Sequence, residues 1–367
     1  MRGDACLGQL ATAIRTATMS YRYLGNKSRL KDWITDAIAE KLPLGATVAD
    51  PMCGTATVSA ELAVRGFRVI ASDQLKFPVL HAQARLLHNG STNFGPAGSA
   101  YEDYIETLNG LRSVKALFWQ EYSDEGTPIN GSRPRKYLTG PNAARVDSIR
   151  LEIKKWREDG LHSRAADLLL HDLILAINRV ANIAGTYGFY RSSWNLDSLN
   201  QIRLQPTKII SHRYAHEVYH ARADEVLARV AADAVYLDPP YTQRQYAGNY
   251  HIPETIARED DPEPVGEGGL RNWSALASDF CYRRRTSSAF KRILDSTNAR
   301  WIFISYSEDA HLPSAELIDL LGAYGRVELR EKPLERFRSN SKVAREGQVR
   351  EHLYILEMKN ASAVKSG

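Results

Sequence analysis

The residues Asp238-Pro239-Pro240-Tyr241 carry more chemistry than any other short stretch of the chain. They follow Ala234-Val235-Tyr236-Leu237, a short apolar run of the kind that forms a buried strand. The two prolines remove backbone donors and fix φ, so the strand must stop at Asp238. A carboxylate, two prolyl carbonyls and an aromatic ring therefore stand at the carboxyl end of a strand, where open α/β sheets bind ligands. One task suits this set. An exocyclic aromatic amine, such as N6 of adenine, is a poor nucleophile because its lone pair is delocalised into the ring. The Asp238 carboxylate and the Pro239 carbonyl could accept its two N–H bonds and draw it towards tetrahedral geometry. Tyr241 could stack on the base, a contact worth roughly 1–3 kcal/mol. The plainer alternative is an ordinary strand exit in which Asp238 caps a turn; the motifs elsewhere in the chain weigh against it.

Such a site needs elements to hold it and a donor to feed it. Thr47-Val48-Ala49 leads into Asp50-Pro51-Met52-Cys53-Gly54-Thr55, a strand, tight turn and helix start. Gly54 permits close backbone approach, and Thr55 or Thr57 could cap the helix from Val58 to Arg65. This is the usual cofactor position of a doubly wound sheet, and without GxGxxG it does not argue for a dinucleotide. A second short strand ends at Asp73, well placed to accept from both ribose hydroxyls of a nucleoside cofactor. Ahead of these, Tyr23-Leu24-Gly25-Asn26-Lys27 reads as a loop whose lysine can hold a carboxylate or phosphate or simply face solvent, with Ser28 available to cap the next helix. A strand over Val218 to Ala221 brings in Asp224, which could receive the amine of the cofactor's adenine or cap a helix from Val226 to Val230.

The 367 residues are 43% hydrophobic and 25% charged, an ordinary globular composition, with a formal net charge of +5 that is compatible with a polyanionic partner. No apolar run approaches the ~20 residues that span a membrane, and Arg15 breaks the apolar stretch of the N-terminus, which does not read as a signal peptide. The three widely spaced cysteines make neither a metal motif nor a disulfide framework. No metal and a cytoplasmic location are expected.

From Phe77 to about residue 206 the pattern turns helical, with helices expected over Val146 to Trp156 and Ala165 to Ala184. Ser123 to Pro134 and residues 258–272 read as turn-rich, mobile loops. Gly185-Thr186-Tyr187-Gly188-Phe189-Tyr190-Arg191 mixes glycines, aromatics and an arginine in a loop suited to phosphate and base contact, or to closing the helical core. Arg244 follows the Asp-Pro-Pro-Tyr loop. Further strands are expected over Trp301 to Ser307, Arg326 to Leu329 and Glu351 to Leu356. Between the last two lies a basic hairpin tip with Arg336, Arg338 and Lys342, a plausible DNA backbone contact.

Asp238 to Tyr241 match, without gaps, the catalytic motif of amino-methyltransferases that use S-adenosylmethionine. With the other motifs in order, the chain resembles the Dam-like, or D12, class of N6-adenine DNA methyltransferases over about residues 20–358. Its GTYGFY, DPPYTQRQYAGNYH and SDFC stretches look most like the adenine methylases that accompany FokI-type restriction systems. The resemblance implies an α/β fold with a mixed, mostly parallel sheet of the S-adenosylmethionine-dependent methyltransferase type and an inserted helical target-recognition domain. It divides the chain into residues 1–76 (cofactor motifs), 77–206 (insertion), 207–360 (catalytic loop and basic hairpin) and a tail, 361–367. It implies methyl transfer to a flipped-out adenine in double-stranded DNA, within a restriction-modification or related system and beside a cognate endonuclease, by a working monomer. Asp238, Pro239, Pro240 and Tyr241 are then the catalytic set, and Tyr23, Lys27, Asp50, Met52, Gly54, Thr55, Asp73, Asp224 and Asp238 the cofactor set. Arg191, Arg244, Arg336, Arg338 and Lys342 are the DNA-binding set. The loop here is Tyr-Leu-Gly-Asn-Lys, where the family has a Trp-Ala-Gly-Gly-Lys type. N4-cytosine or RNA adenine as acceptor, a catalytically silent DNA-binding protein and a protein glutamine methyltransferase are the competing readings.

Overall fold

In a computed structural model, residues 21–88, 100–335 and 348–359 are described. Seven strands form one sheet: β1 (Thr47–Asp50), β2 (Arg68–Asp73), β3 (Glu217–His220), β4 (Ala234–Leu237), β5 (Trp301–Ser307), β6 (Gly325–Glu335) and β7 (Gln348–Met358). Their order is β3-β2-β1-β4-β5-β7-β6. The pairs from β3 through β5 are parallel, and β7 runs antiparallel to both β5 and β6. This is the mixed, mostly parallel sheet that the sequence leads one to expect. The central strands are short and fully buried because both faces are covered. Along β4, Ala234 and Tyr236 pack on one face, Val235 and Leu237 on the other. Helices Lys31–Ala39 and Thr57–Val64 cover the first face, helices Thr286–Asp295 and Ser314–Gly322 the second.

Among the described residues no strand lies between β2 and β3. That span holds helices Lys76–Leu86, Tyr101–Gly110, Leu117–Tyr122, Gly140–Glu158 and Ser163–Val180. The last is apolar along most of its length and is the centre of a separate hydrophobic cluster. Helix Lys76–Leu86 serves both bodies: Ala82 and Leu86 pack towards the sheet, Phe77, Leu80 and Ala84 towards the helical cluster. Residues from beyond the Asp-Pro-Pro-Tyr loop, Tyr250, Ile252 and Ile256, complete that cluster.

Several local expectations need correction. Ser28 does not cap a helix; Asn26 accepts from the Ser28 N–H and starts a 3-10 turn, and helix Lys31–Ala39 begins without a side-chain cap. Neither Thr55 nor Thr57 caps the next helix, whose N-cap is Ala56 in the left-handed region, φ 54°. The threonine hydroxyls bond each other instead, at 2.9 Å. The loops expected to be mobile are tied together by Arg135. Its side chain is wholly buried, pairs with Glu121 at 2.6 Å, and donates to the carbonyls of Asn130, Gly266 and Glu267. At Gly269, φ +64°, a Cβ would stand 2.8 Å from the guanidinium, so glycine there lets the backbone close around it.

Candidate active site

Asp50, Asp73 and Asp238 stand at or just past the carboxyl ends of β1, β2 and β4. Between β1 and β4 the connection reverses direction across the sheet, which opens a crevice at the strand ends. An open cleft with about 1090 Å³ of empty space occupies it. Tyr23, Lys27, Asp50, Met52, Gly54, Thr55, Asp73, Asp224 and Asp238 all line this cleft, joined by Pro240. Pro239 is buried behind it, and the half-buried Tyr241 sits edge-on to Tyr306, centroids 6.4 Å apart.

The floor is the turn after β1. Gly54 takes φ +50°, and a Cβ there would stand 3.0 Å from the Tyr23 hydroxyl oxygen. Ala56, a residue with a side chain, holds a left-handed conformation next to it. Strain of this kind persists only where the surroundings enforce it, and it clusters at functional sites. Asp73 draws the turn down, accepting from the Gly54 N–H at 3.2 Å and from the Leu75 N–H at 2.9 Å. Asp50 accepts from Ser59 Oγ at 2.5 Å through Oδ2, while its buried Oδ1 has no partner among the described residues. Burial pushes both carboxyls up to about 7; hydrogen bonds from Ser59 to Asp50 and from Leu75 and Gly54 to Asp73 pull back only part of that rise.

The roof is Tyr23. Its ring stacks on Tyr250, centroids 4.8 Å apart at 29°, with Tyr246 at 5.5 Å. Tyr250 and Tyr246 also fix the neighbouring backbone: the Leu24 N–H donates to the Tyr250 hydroxyl at 2.7 Å, and the Tyr246 hydroxyl donates to the Leu24 carbonyl at 3.0 Å. The helices that follow the Asp-Pro-Pro-Tyr loop thus hold the N-terminal loop in place. Gln245 exchanges two hydrogen bonds with the backbone of Ser278, which brings Phe280 to the cleft wall beside Ile293.

Lys27 is not a surface lysine. Its side chain is 6% exposed and its Nζ lies 3.0 Å from Asp238 Oδ1 and 2.9 Å from Glu351 Oε1. Burial works against its charge, but the Asp238 and Glu351 carboxylates hold the ammonium well above the usual lysine range. Burial pushes the Asp238 carboxyl up to about 6, with Lys27 pulling it back and Glu351 adding to the rise. Asp238 keeps 21% of its side-chain surface open to the cleft. Its only ionic or hydrogen-bonding partner among the described side chains is Lys27, on Oδ1.

Asp224 does not cap a helix. The short helix Ala223–Leu227 is capped at Arg222, and Asp224 pairs with Arg222 at 3.3 Å and with Arg292 at 3.2 Å. Arg292 also reaches Asp279 at 2.7 Å. Arg191 and Arg244 are exposed, away from the cleft lining. Arg336, Arg338 and Lys342 lie outside the described residues. No group of three or more metal-ligating side chains occurs among the described residues, and no helix there is long and apolar enough to cross a membrane.

The family model described as D12 class N6 adenine-specific DNA methyltransferase matches residues 23–310. This chain belongs to that family. It is 31% identical over 328 residues to the type II methyltransferase M.FokI of Planomicrobium okeanokoites, covering 88% of this chain and 50% of that protein. It is 26% identical to M.NlaIII of Neisseria lactamica, over 91% of this chain and 98% of that one. With M.CviAII of Paramecium bursaria Chlorella virus 1 the identity is 28%, over 86% and 92%. The chain spans about half the length of M.FokI and of the modification methylase StsI.

Sequence reasoning missed Glu351, Gln245, Tyr246, Phe280 and Arg292. For Glu351 a signal was present. Glu351, Leu353 and Ile355 share one face of β7, and that face packs in the apolar layer. An acid at such a position needs a buried partner.

Proposed function

We propose that this chain transfers a methyl group from S-adenosylmethionine to N6 of an adenine flipped out of duplex DNA. The observation that carries this is the placement of Asp238: at the rim of the cleft, with Lys27 engaged on Oδ1 and Oδ2 left to receive an amine. The cleft fits the cofactor. The partnerless Asp50 Oδ1 suits the ammonium of its amino-acid end. Asp73 retains lone pairs for ribose hydroxyls beyond the backbone donors it already accepts. Phe280 and Ile293 offer an apolar wall for a base, with Asp224 at its edge. Bound there, S-adenosylmethionine supplies an electrophilic methyl on its sulfonium.

The chain's residues do the rest. Asp238 Oδ2 and the Pro239 carbonyl accept the two N6–H bonds and draw the lone pair out of conjugation, and Tyr241 packs on the flipped base, whose extrusion costs a few kcal/mol. Positioning in line is the larger part of the catalysis. Residues 77–206 form the target-recognition insertion in this reading, with Arg191, Arg244 and the Arg336, Arg338 and Lys342 segment on the DNA backbone. A restriction-modification role, a partner endonuclease and action as a monomer complete it.

The test uses tritiated cofactor and mixed-sequence duplex DNA, with Asp238→Ala in parallel. Label in N6-methyladenosine that the variant loses is the expected result. Label in N4-methylcytosine would move the substrate, no label in any base despite cofactor binding would point to RNA or protein as acceptor, and absence of cofactor binding would overturn the reading.

A further inference from the structure

We propose that Glu351 is a positioning residue of this site, holding the Lys27 ammonium between two carboxylates so that Asp238 is fixed in place yet keeps its strength as an acceptor. The inference rests on the methyltransferase reading. One ammonium, Lys27 Nζ, serves Asp238 Oδ1 at 3.0 Å and Glu351 Oε1 at 2.9 Å, and all three side chains are largely withdrawn from water. Ser305 Oγ donates to the same Glu351 oxygen at 3.2 Å, so Glu351 is itself held from β5. Three neighbouring strands thus hold the group: Asp238 directly follows β4, β5 carries Ser305 and β7 carries Glu351.

A carboxylate fully matched by a single buried ammonium is a weak acceptor for a further neutral N–H. Sharing that ammonium with a second carboxylate leaves net negative charge on the pair, and Asp238 Oδ2 is the part of it that faces the cleft. Tyr236, Tyr241 and Tyr246 are phenols whose ionisation burial drives upward, so they stay neutral over ordinary pH. Asp50, which burial pushes up to about 7, ionises above Asp238 and then adds to the same negative field in wild type and variants alike. Glu351 touches neither base nor cofactor in this account; it acts through Lys27.

The experiment is a carboxyl 13C titration of the cofactor-free protein labelled at aspartate Cγ, with the Asp238 signal identified by its loss in Asp238→Asn. In the wild type the midpoint falls near 6. In Glu351→Gln, which keeps the shape and a carbonyl for Lys27, the midpoint moves down by about one unit or more. Single-turnover transfer at pH 8 falls at least about tenfold, while cofactor affinity changes less than about threefold. Ser305→Ala leaves every charge in place and serves if Glu351→Gln does not fold; it gives a smaller shift, because Glu351 is then held less firmly. An unmoved or raised midpoint in Glu351→Gln, or in Ser305→Ala if that variant stands alone, overturns the proposal. Failure of the methyltransferase reading shows instead in the wild type, as absent transfer, whatever the titration gives.

Discussion

Glu254 Oε2 accepts a hydrogen bond from the Phe77 backbone N–H at 3.1 Å, across 177 residues of sequence. Its Oε1 takes the Lys76 N–H at 3.1 Å, so one buried carboxylate satisfies the first donors of helix Lys76–Leu86 and sits at the positive end of its dipole. Asp73 lies on the turn just ahead. Glu254→Ala is expected to lower stability by about 2–3 kcal/mol in urea unfolding. Cofactor affinity, read by calorimetry, falls with it, because Asp73 loses the firm helix start behind it. Glu254→Gln, which keeps one acceptor, recovers part of both.

Lys27→Met removes the one cation between Asp238 and Glu351. At pH 8 the two carboxylates then face each other, and a loss of roughly 3 kcal/mol is expected. Without the ammonium Asp238 binds its proton more readily, so the loss shrinks as pH falls through about 6, the value burial already gives it in the wild type. Denaturant unfolding of both proteins at pH 8 and pH 5 checks it; an equal loss at both values contradicts the shared-ammonium geometry.

Asp50→Asn separates binding from stability. Burial raises the Asp50 carboxyl from an unfolded value near 4 to about 7, so its contribution to stability is full below pH ~4 and lost as pH rises through 7. The amide has no charge to bury. The variant should therefore melt higher than the wild type at pH 8, by roughly 3 °C or more, with the gain fading towards pH 5. The same change removes the acid proposed for the cofactor's ammonium, so affinity for S-adenosylmethionine drops. Calorimetric melting at the two pH values and a binding isotherm read the two effects separately.

Gly54→Ala places a Cβ 3.0 Å from the Tyr23 hydroxyl oxygen on a backbone with φ +50°. A stability cost of about 1–2 kcal/mol is expected from the left-handed conformation, and the larger effect is on the cleft. Tyr23 must shift off Tyr250, so cofactor affinity falls at least about tenfold. Tyr23→Phe in the same background removes the oxygen the new methyl meets and recovers part of that affinity.

The parallel sheet and the cleft at its strand ends were legible in the sequence because their signals are local. Apolar runs ending in Asp50, Asp73 and Asp238 announce strands that stop at acids, and the strand order brings those ends together. What the sequence did not show are contacts between segments far apart. Nothing near Lys27 says that its charge will be buried against Glu351, 324 residues on. Nothing near Ser123 to Pro134 says that Arg135 will pin that loop to residues 266 and 267. The capping errors have a different origin: Ser28, Thr55 and Thr57 are good caps by type, but a left-handed Ala56 and a 3-10 turn take over the helix starts that those hydroxyls would have served.

The tie between Lys27 and Glu351 also sets a schedule. A ribosome adding roughly 5–20 residues per second takes about 15–65 s to travel from one to the other. Over that interval β1, β2 and the Asp-Pro-Pro-Tyr loop emerge, but β7 does not, and the central sheet still lacks the strand that carries the second carboxylate. A chain that has not yet reached Glu351 holds only Lys27 and Asp238 of the three charges, so the order of synthesis adds the second carboxylate last.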